Sequence, residues 1–449
     1  MLYDLNRLAS ILGANLIGDG GTMPHGISLD SRSIQPGECF VALKADRDGH
    51  EFVGNAISAG ASCLLVDHQI EYEVPQLIVK DTLAALQKWG QHRLADCRPD
   101  AVFGVTGSVG KTSTKELLAG AVSGWKTPGN RNNTLGLPAA LATMPDCLGA
   151  AVLEMGMSTQ GEIELLTEIA PLDFGVITNI GDSHLENFPD GQSGIAAAKG
   201  ELVAGIVPGG AWVFSAEDPW CQWIANQGWA SKARSIPVGK GTDYCITSSE
   251  SLGARGERFS LLNNGRTLDV EIKLTGTHQI QNAALAASIA LIAGFSEDSI
   301  VSGLVSVEPE EGRGRLYNLR NGGMLMDESY NASKGSILSC ARSLLGLEGG
   351  EPLAVLGCIR ELGPTSPSIH RATGKELRQT GISRLWVYGD YSEELAEGFG
   401  HGAKAFPDFE TLLPELSELP AGARILVKGS RYWKSERVVT FILERFMRE

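Results

Sequence analysis

No two of the eight cysteines stand closer than the 18 positions between Cys340 and Cys358, so the chain lacks the CxxC spacing of zinc or dithiol chemistry. Reduced thiols are expected, as in the cytoplasm. Positive charge is also scarce: 38 Lys and Arg against 53 Asp and Glu leave a net charge of −15. That balance argues against nucleic acid or an anionic membrane as a main partner, and any anionic ligand must be held by local donors. Long apolar runs are missing as well. The stretch from Ala283 to Phe295, broken by Ser288 and Gly294, falls short of the roughly 18 residues that cross a membrane. The opening Met1-Leu2-Tyr3-Asp4-Leu5-Asn6-Arg7 puts charges where a signal peptide needs an apolar stretch, so secretion is not expected and a cytoplasmic location is. Glycine, by contrast, is plentiful at 55 of 449 residues, against a usual share of about 7%. Tight turns and loops that approach phosphates are expected from it. At roughly 150 residues per domain the length accommodates about three domains.

The pattern along the chain predicts an α/β protein with three units. Residues 1–85 read as a mixed α/β unit, with a helix near Leu2 to Leu12 and apolar runs at Cys39 to Leu43 and Cys63 to Val66 flanking a helical stretch from Phe52 to Ala59. Residues 86–310 alternate strands and helices, with strands at Ala101 to Val105, Ala151 to Leu153 and Phe174 to Thr178, and helices at Gly194 to Val207 and Gln279 to Ile292. Such alternation predicts a parallel sheet covered by helices. The charged stretch Val307 to Arg315 reads as a hinge. Residues 311–449 repeat the alternation in the rhythm of a doubly wound, Rossmann-like domain. No repeat of solenoid period and no low-complexity tract occurs.

The sharpest motif is Thr106-Gly107-Ser108-Val109-Gly110-Lys111-Thr112-Ser113, lying between a predicted strand and the helical run Lys115 to Val122. Backbone N–H groups and the positive helix end would cradle phosphates, Lys111 would reach the β- and γ-phosphates, and the Thr112 hydroxyl would ligate Mg²⁺. The loop is shorter than GxxxxGK[ST], since Val105 stands five before Gly110. A nucleoside triphosphate is the inference, and the absence of Asn-Lys-x-Asp disfavours GTP. Glu154, ending the next strand, sits where such folds hold magnesium. His184 follows another strand end and Lys199 lies on the next helix. Alone, each reads equally well as a structural histidine and a solvated lysine.

Thr106 to Thr112, Glu154, His184-Leu185-Glu186 and Ala198-Lys199-Gly200-Glu201 resemble the Mur ligases of peptidoglycan synthesis, and the resemblance runs the whole length. Asp30-Ser31-Arg32, Asp48-Gly49-His50, Asn130-x-Asn132-Asn133, Ser329-Tyr330-Asn331-Ala332, Glu361-Leu362-Gly363 and Lys428-Gly429-Ser430-Arg431 are most similar to the branch joining D-alanyl-D-alanine to UDP-N-acetylmuramoyl-tripeptide. The resemblance implies ATP and two Mg²⁺ ions, one on Thr112 and Glu154, the other on Glu154, His184 and Lys199, the lysine carrying a carbamate. Lys111, Glu154, His184 and Lys199 are the implied catalytic residues. It further implies adenine recognition by His278 and Asn282, ribose and phosphate contacts from Arg315 and Asp327, and substrate contacts from Ser31, Arg32, His50, Asn133, Tyr330 and Asn331. Arg32 reads as a diphosphate clamp or as a surface ion pair. A monomer acting on small-molecule substrates is expected, with no nucleic acid and no membrane. The rivals are a related ligase adding another amino acid, including a folylpolyglutamate synthase-like enzyme, and a nucleotide-binding scaffold without turnover. The chain departs from the family pattern at Asp182-Ser183, at Glu328 with Ala332 to Lys334, and at Cys358, where an acid is usual.

Overall fold

A computed structural model describes residues 3–45 and 47–447. Its chain forms three sheets. The first runs Asn15–Ile17, Gln76–Ile78, Cys63–Val66, Cys39–Val41, Ile27–Ser28, with an antiparallel first pair and parallel pairs after it. Helix Leu5–Leu12 starts where the Asp4 carboxylate accepts the Arg7 N–H, and it buries Leu5 and Leu8 against this sheet. Helix Thr82–Asp96 is capped by Asp81, which accepts from the N–H groups of Leu83 and Ala84. Its Leu86 and Trp89 lie in the same core as Leu65 and Leu77, together with Ala139 and Ala142 of the next unit. The border expected at 85/86 therefore falls inside a helix that both units share.

The central sheet has nine strands in the order Arg266–Ile272, Glu257–Asn263, Tyr244–Ser251, Arg234–Val238, Ile206–Ser215, Leu172–Ile177, Ala101–Thr106, Ala150–Glu154, Trp125–Lys126. Seven are parallel, and the strand Ala101–Thr106 at its heart is buried on both faces, as its unbroken apolar run requires. The parallel order gives way at one edge of the sheet. Tyr244–Ser251, Glu257–Asn263 and Arg266–Ile272 form an antiparallel meander. Its last turn, Asn264-Gly265, has φ of 47° and 83°, the left-handed geometry of a two-residue hairpin. Helices Lys111–Ala121, Thr277–Ile292 and Glu297–Ser306 cover one face, and Gly136–Ala142, Glu162–Ile169 and Gln192–Ala204 cover the other.

The third sheet runs Arg315–Asn318, Met324–Glu328, Arg424–Lys428, Pro352–Gly357, Arg384–Tyr388, Ala403–Phe406, parallel except for its first pair. This is the doubly wound pattern, closed by helix Glu436–Phe446. The carboxyl ends of Met324–Glu328 and Arg424–Lys428 face the carboxyl ends of the central strands across one cavity. Among the described residues no helix is long and apolar enough to cross a membrane, and all eight cysteines are free thiols.

Candidate active site

The phosphate loop is held from beneath by the adjacent strand end. The Thr178 hydroxyl donates to the Val109 carbonyl at 2.6 Å, Asn179 Nδ2 donates to the same oxygen at 2.9 Å, and Asn179 Oδ1 accepts the Val109 N–H at 3.1 Å. The Ser108 hydroxyl accepts the Gly181 N–H at 2.8 Å. Gly107 is required by this packing, because a Cβ there would stand 1.9 Å from the Thr178 hydroxyl. Lys111 opens the following helix, and its ammonium donates to the Gly107 carbonyl at 2.8 Å. Burial pushes Lys111 below the usual lysine range; the Glu154 charge opposes this and the Arg313 charge adds to it.

Glu154 is buried at the end of its strand and is fully engaged. Oε2 accepts from the Thr112 hydroxyl at 2.8 Å and lies 3.7 Å from the Lys115 ammonium, while Oε1 accepts from Asn132 Nδ2 at 2.7 Å. Lys115, one helical turn beyond Lys111, is completely buried and also donates to the Thr127 and Gly129 carbonyls at 3.1 and 2.8 Å. Neither Asn132 nor Lys115 received a role from sequence. The i+4 spacing from Lys111 and the run Asn130-x-Asn132-Asn133 were the available signals. The Thr112 hydroxyl and the Glu154 carboxylate are hard oxygen donors side by side, a set that suits Mg²⁺.

Lys199 is 1% exposed on helix Gln192–Ala204. Burial first, and then the Lys111 charge, hold its pKa well below the usual lysine range. Lys199 does not line the cavity. His184 does, and its Nδ1 meets Glu361 Oε2 of the third domain at 2.6 Å. This contact holds the Glu361 carboxyl below the usual carboxylate range.

The cavity has a volume of about 560 Å³ and joins two domains. From the central domain it takes Ser108, Gly110 to Ser113, Asn132, Asn133, Glu154, His184, His278 and Asn282; from the third, Gly312, Arg313, Glu328, Tyr330, Asn331, Lys334 and Lys428. Asn133 Oδ1 is partly spent, accepting the N–H groups of Leu135 and Gly136. A second recess of about 500 Å³ shares Asn179, His278 and Asn282 with the first and adds Gln281, Asp218 and Trp220. His278 Nδ1 and Gln281 Nε2 are buried with no hydrogen-bond partner, two polar atoms free to meet a ligand.

Several expected residues lie elsewhere. Thr106 and Gly107 buttress the loop without lining the cavity. Arg315 has a 48% exposed side chain and pairs with Glu311 at 3.4 Å, outside the cavity. The hinge arginine that faces inward is Arg313, with a 21% exposed side chain whose guanidinium lies 3.9 Å over the Tyr330 ring. Asp327 explains the choice. Its Oδ2 accepts the Gly312 N–H at 2.9 Å, its Oδ1 accepts the Ser329 N–H at 3.1 Å, and its carbonyl accepts the Gly314 N–H at 2.8 Å. Gly312 and Gly314, at φ of 74° and 91°, bend the chain around Arg313. The Asp327 carboxylate is therefore spent on building the turn.

Ser31, Arg32 and His50 stay in the first domain, away from the cavity. Arg32 is 87% exposed and forks onto Asp30, whose carboxyl it draws down to about 2. Both nitrogens of His50 are occupied: Nε2 accepts the Asp67 N–H at 3.2 Å, which leaves Nδ1 to donate to Asp48 at 2.6 Å. Cys358 lies in the third-domain core beside Leu356 and Ile359, and burial pushes its thiol up to about 12. Lys334 lines the cavity and pairs with Glu376 at 2.7 Å.

A phosphate loop with a buried carboxylate at the next strand end, facing a third domain across one cavity, defines a nucleoside-triphosphate-dependent enzyme. Residues 105–290 match the model described as Mur ligase middle domain, and residues 312–431 that described as Mur ligase, glutamate ligase domain. The UDP-N-acetylmuramoyl-tripeptide–D-alanyl-D-alanine ligase of Escherichia coli is 33% identical over 98% of each chain. The chain belongs to the Mur ligase family, and it is a ligase. MurF from Acinetobacter baumannii superposes with a TM-score of 0.88 at 30% identity, covering 99% of each chain. MurF ligase from Thermotoga maritima in complex with ADP gives 0.80 at 26% identity, covering 94% of this chain and 97% of that one.

Proposed function

We propose that the protein joins D-alanyl-D-alanine to UDP-N-acetylmuramoyl-tripeptide with conversion of ATP to ADP and phosphate, in cytoplasmic peptidoglycan precursor synthesis. The observation that carries this reading is the single cavity in which Lys111, Thr112 and Glu154 face Arg313, Tyr330 and Asn331. Relatives with that printed activity align with nearly the whole chain, which favours it over a folylpolyglutamate synthase-like ligase or an inert scaffold.

The terminal carboxylate of the tripeptide attacks the γ-phosphorus of ATP; the P–O bond to ADP breaks and an acyl phosphate forms. The dipeptide amine then attacks the acyl carbon, phosphate leaves and the amine loses a proton. In such transfers a protein acts chiefly by positioning and charge neutralisation. The loop N–H groups and Lys111 hold the β- and γ-phosphates, and these donors stand ready where charge develops on the transferring group. Arg313 approaches from the third domain and takes the phosphate role first expected of Arg315. His278, Asn282 and Gln281 face the base in the second recess. Tyr330 and Asn331 lie on the acceptor side, and Ser31, Arg32 and His50 mark the domain that takes the UDP portion. Mg²⁺ on Thr112 and Glu154, with a second ion on Glu154, His184 and a Lys199 carbamate, would supply further neutralisation of phosphate charge.

The test is ADP release by the purified protein with Mg²⁺ and ATP, with the UDP-tripeptide present or omitted and with D-alanyl-D-alanine or single amino acids as acceptor. A rate that depends on the dipeptide, with a UDP-pentapeptide by mass, is expected. Turnover only with a single amino acid would move the substrate assignment, and no substrate-stimulated release would favour the scaffold.

A further inference from the structure

We propose that Glu361 is a positioning residue that couples docking of the third domain to the orientation of His184. The inference rests on the reading of His184 as a ligand in the cavity, and it adds a residue to which no role has been given. Two short turns interlock at the rim. Leu185–Asn187 belongs to the central domain and Gly363–Thr365 to the third. His184 stands immediately before the first turn and Glu361 two residues before the second, both in the left-handed region at φ of 64° and 66°. Side chains with a Cβ rarely adopt that conformation, and its occurrence on both sides of one contact marks a junction that the surrounding structure enforces.

The junction carries two polar links. His184 Nδ1 meets Glu361 Oε2 at 2.6 Å, and the Glu186 N–H points at the Glu361 carbonyl at 3.4 Å. Gly363 lies against Glu186, where an added Cβ would come within 3.3 Å of the Glu186 Cβ. His184 lines the cavity and Glu361 does not, so the carboxylate reaches the imidazole from behind. A carboxylate on Nδ1 accepts the proton held there and leaves the Nε2 lone pair free to face the cavity. With the third domain undocked this acceptor is gone, and the ring is free to rotate and change tautomer. Closure over the acceptor thereby also completes the ligand set on the opposite wall.

The experiment uses full-length protein with ADP and Mn²⁺ as the probe, comparing wild type with Glu361→Ala, Glu361→Gln and His184→Ala. Mn²⁺ affinity is read by electron paramagnetic resonance and the histidine tautomers by ¹⁵N NMR. Glu361→Ala is expected to weaken Mn²⁺ binding roughly 10- to 100-fold. It should also remove the Nδ1-protonated signature of His184, and lower kcat with little change in the KM for ATP. Glu361→Gln keeps a neutral acceptor and should restore most of the affinity. Unchanged Mn²⁺ affinity and tautomer in both Glu361 variants would overturn the proposal if His184→Ala weakens binding. Unchanged binding in His184→Ala would overturn the reading of His184 itself, and the coupling with it.

Discussion

The inward turn of Arg313 makes a prediction that separates it sharply from its neighbour two residues on. Replacing Arg313 with Ala removes a guanidinium at the cavity wall, held over Tyr330 at 3.9 Å. Stacking of this kind contributes about 0.5–1 kcal/mol. The larger loss is that of a donor aimed at charge that develops during phosphoryl transfer, which typically costs a factor of about 10²–10³ in rate, or about 3–4 kcal/mol. Replacing Arg315 with Ala breaks an exposed pair with Glu311, and such pairs contribute at most about 1 kcal/mol. Steady-state ADP release with both substrates should therefore fall at least about 100-fold in Arg313→Ala and stay within about threefold of wild type in Arg315→Ala. Arg313→Lys should recover only part of the rate, since an ammonium lacks the planar fork. A normal rate in Arg313→Ala, or the large loss appearing in Arg315→Ala, would refute the assignment of the inward arginine.

Lys111→Ala should abolish ADP formation, because it removes the ammonium that neutralises phosphate charge at the loop; near-normal turnover would contradict the loop's role. Asn132→Ala leaves Glu154 Oε1 without its 2.7 Å donor. Thermal melts should show a loss of about 1.5–3 kcal/mol, the range for a hydrogen bond to a charged group, together with a raised Mg²⁺ requirement. Cys358→Asp puts a carboxylate among apolar side chains in the third-domain core. It should cost several kcal/mol of stability while leaving nucleotide affinity intact in calorimetry. His278 and His370 are both held below the usual histidine value by burial, and His370 already donates to the Ser366 carbonyl and accepts the Ile359 N–H. The unfolded chain binds protons near pH 6.5 that the folded chain refuses, so melting temperature should fall as pH drops below about 6.5. A flat profile between pH 7 and 5 would show that these two rings do not set acid stability.

Local signals made the centre of the molecule readable and left its long-range arrangement open. The strand, loop and helix around Gly107 to Thr112 announce themselves because strand burial, glycine spacing and the helix start are all local. Glu154 is visible for the same reason, as the polar end of an apolar run. Arg313 and Arg315 could not be told apart in this way, since each is flanked by glycine and the choice is made by Asp327, over a dozen residues away. The meander escaped notice although Asn264-Gly265 lies between two alternating runs, because the βα rhythm around it suggested parallel pairing. Ser31, Arg32 and His50 were placed in the first domain by resemblance alone, since no local pattern around them spells out a ligand. Lys115 was invisible as a buried cation because Glu154 and the Thr127 and Gly129 carbonyls converge on it only in three dimensions.

Helix Thr82–Asp96 has a consequence for the order in which the chain acquires structure during synthesis. The first sheet packs Leu65 and Leu77 onto this helix, yet that layer is finished only when Ala139 and Ala142 arrive. Domains generally fold as units while the polypeptide emerges from the ribosome. Here the amino-terminal segment cannot close its apolar interior until well over a third again of its own length has been translated beyond the helix. Until then it presents an unsealed greasy flank, which makes the nascent stage between about residues 97 and 142 the time of greatest exposure to chaperones and proteases.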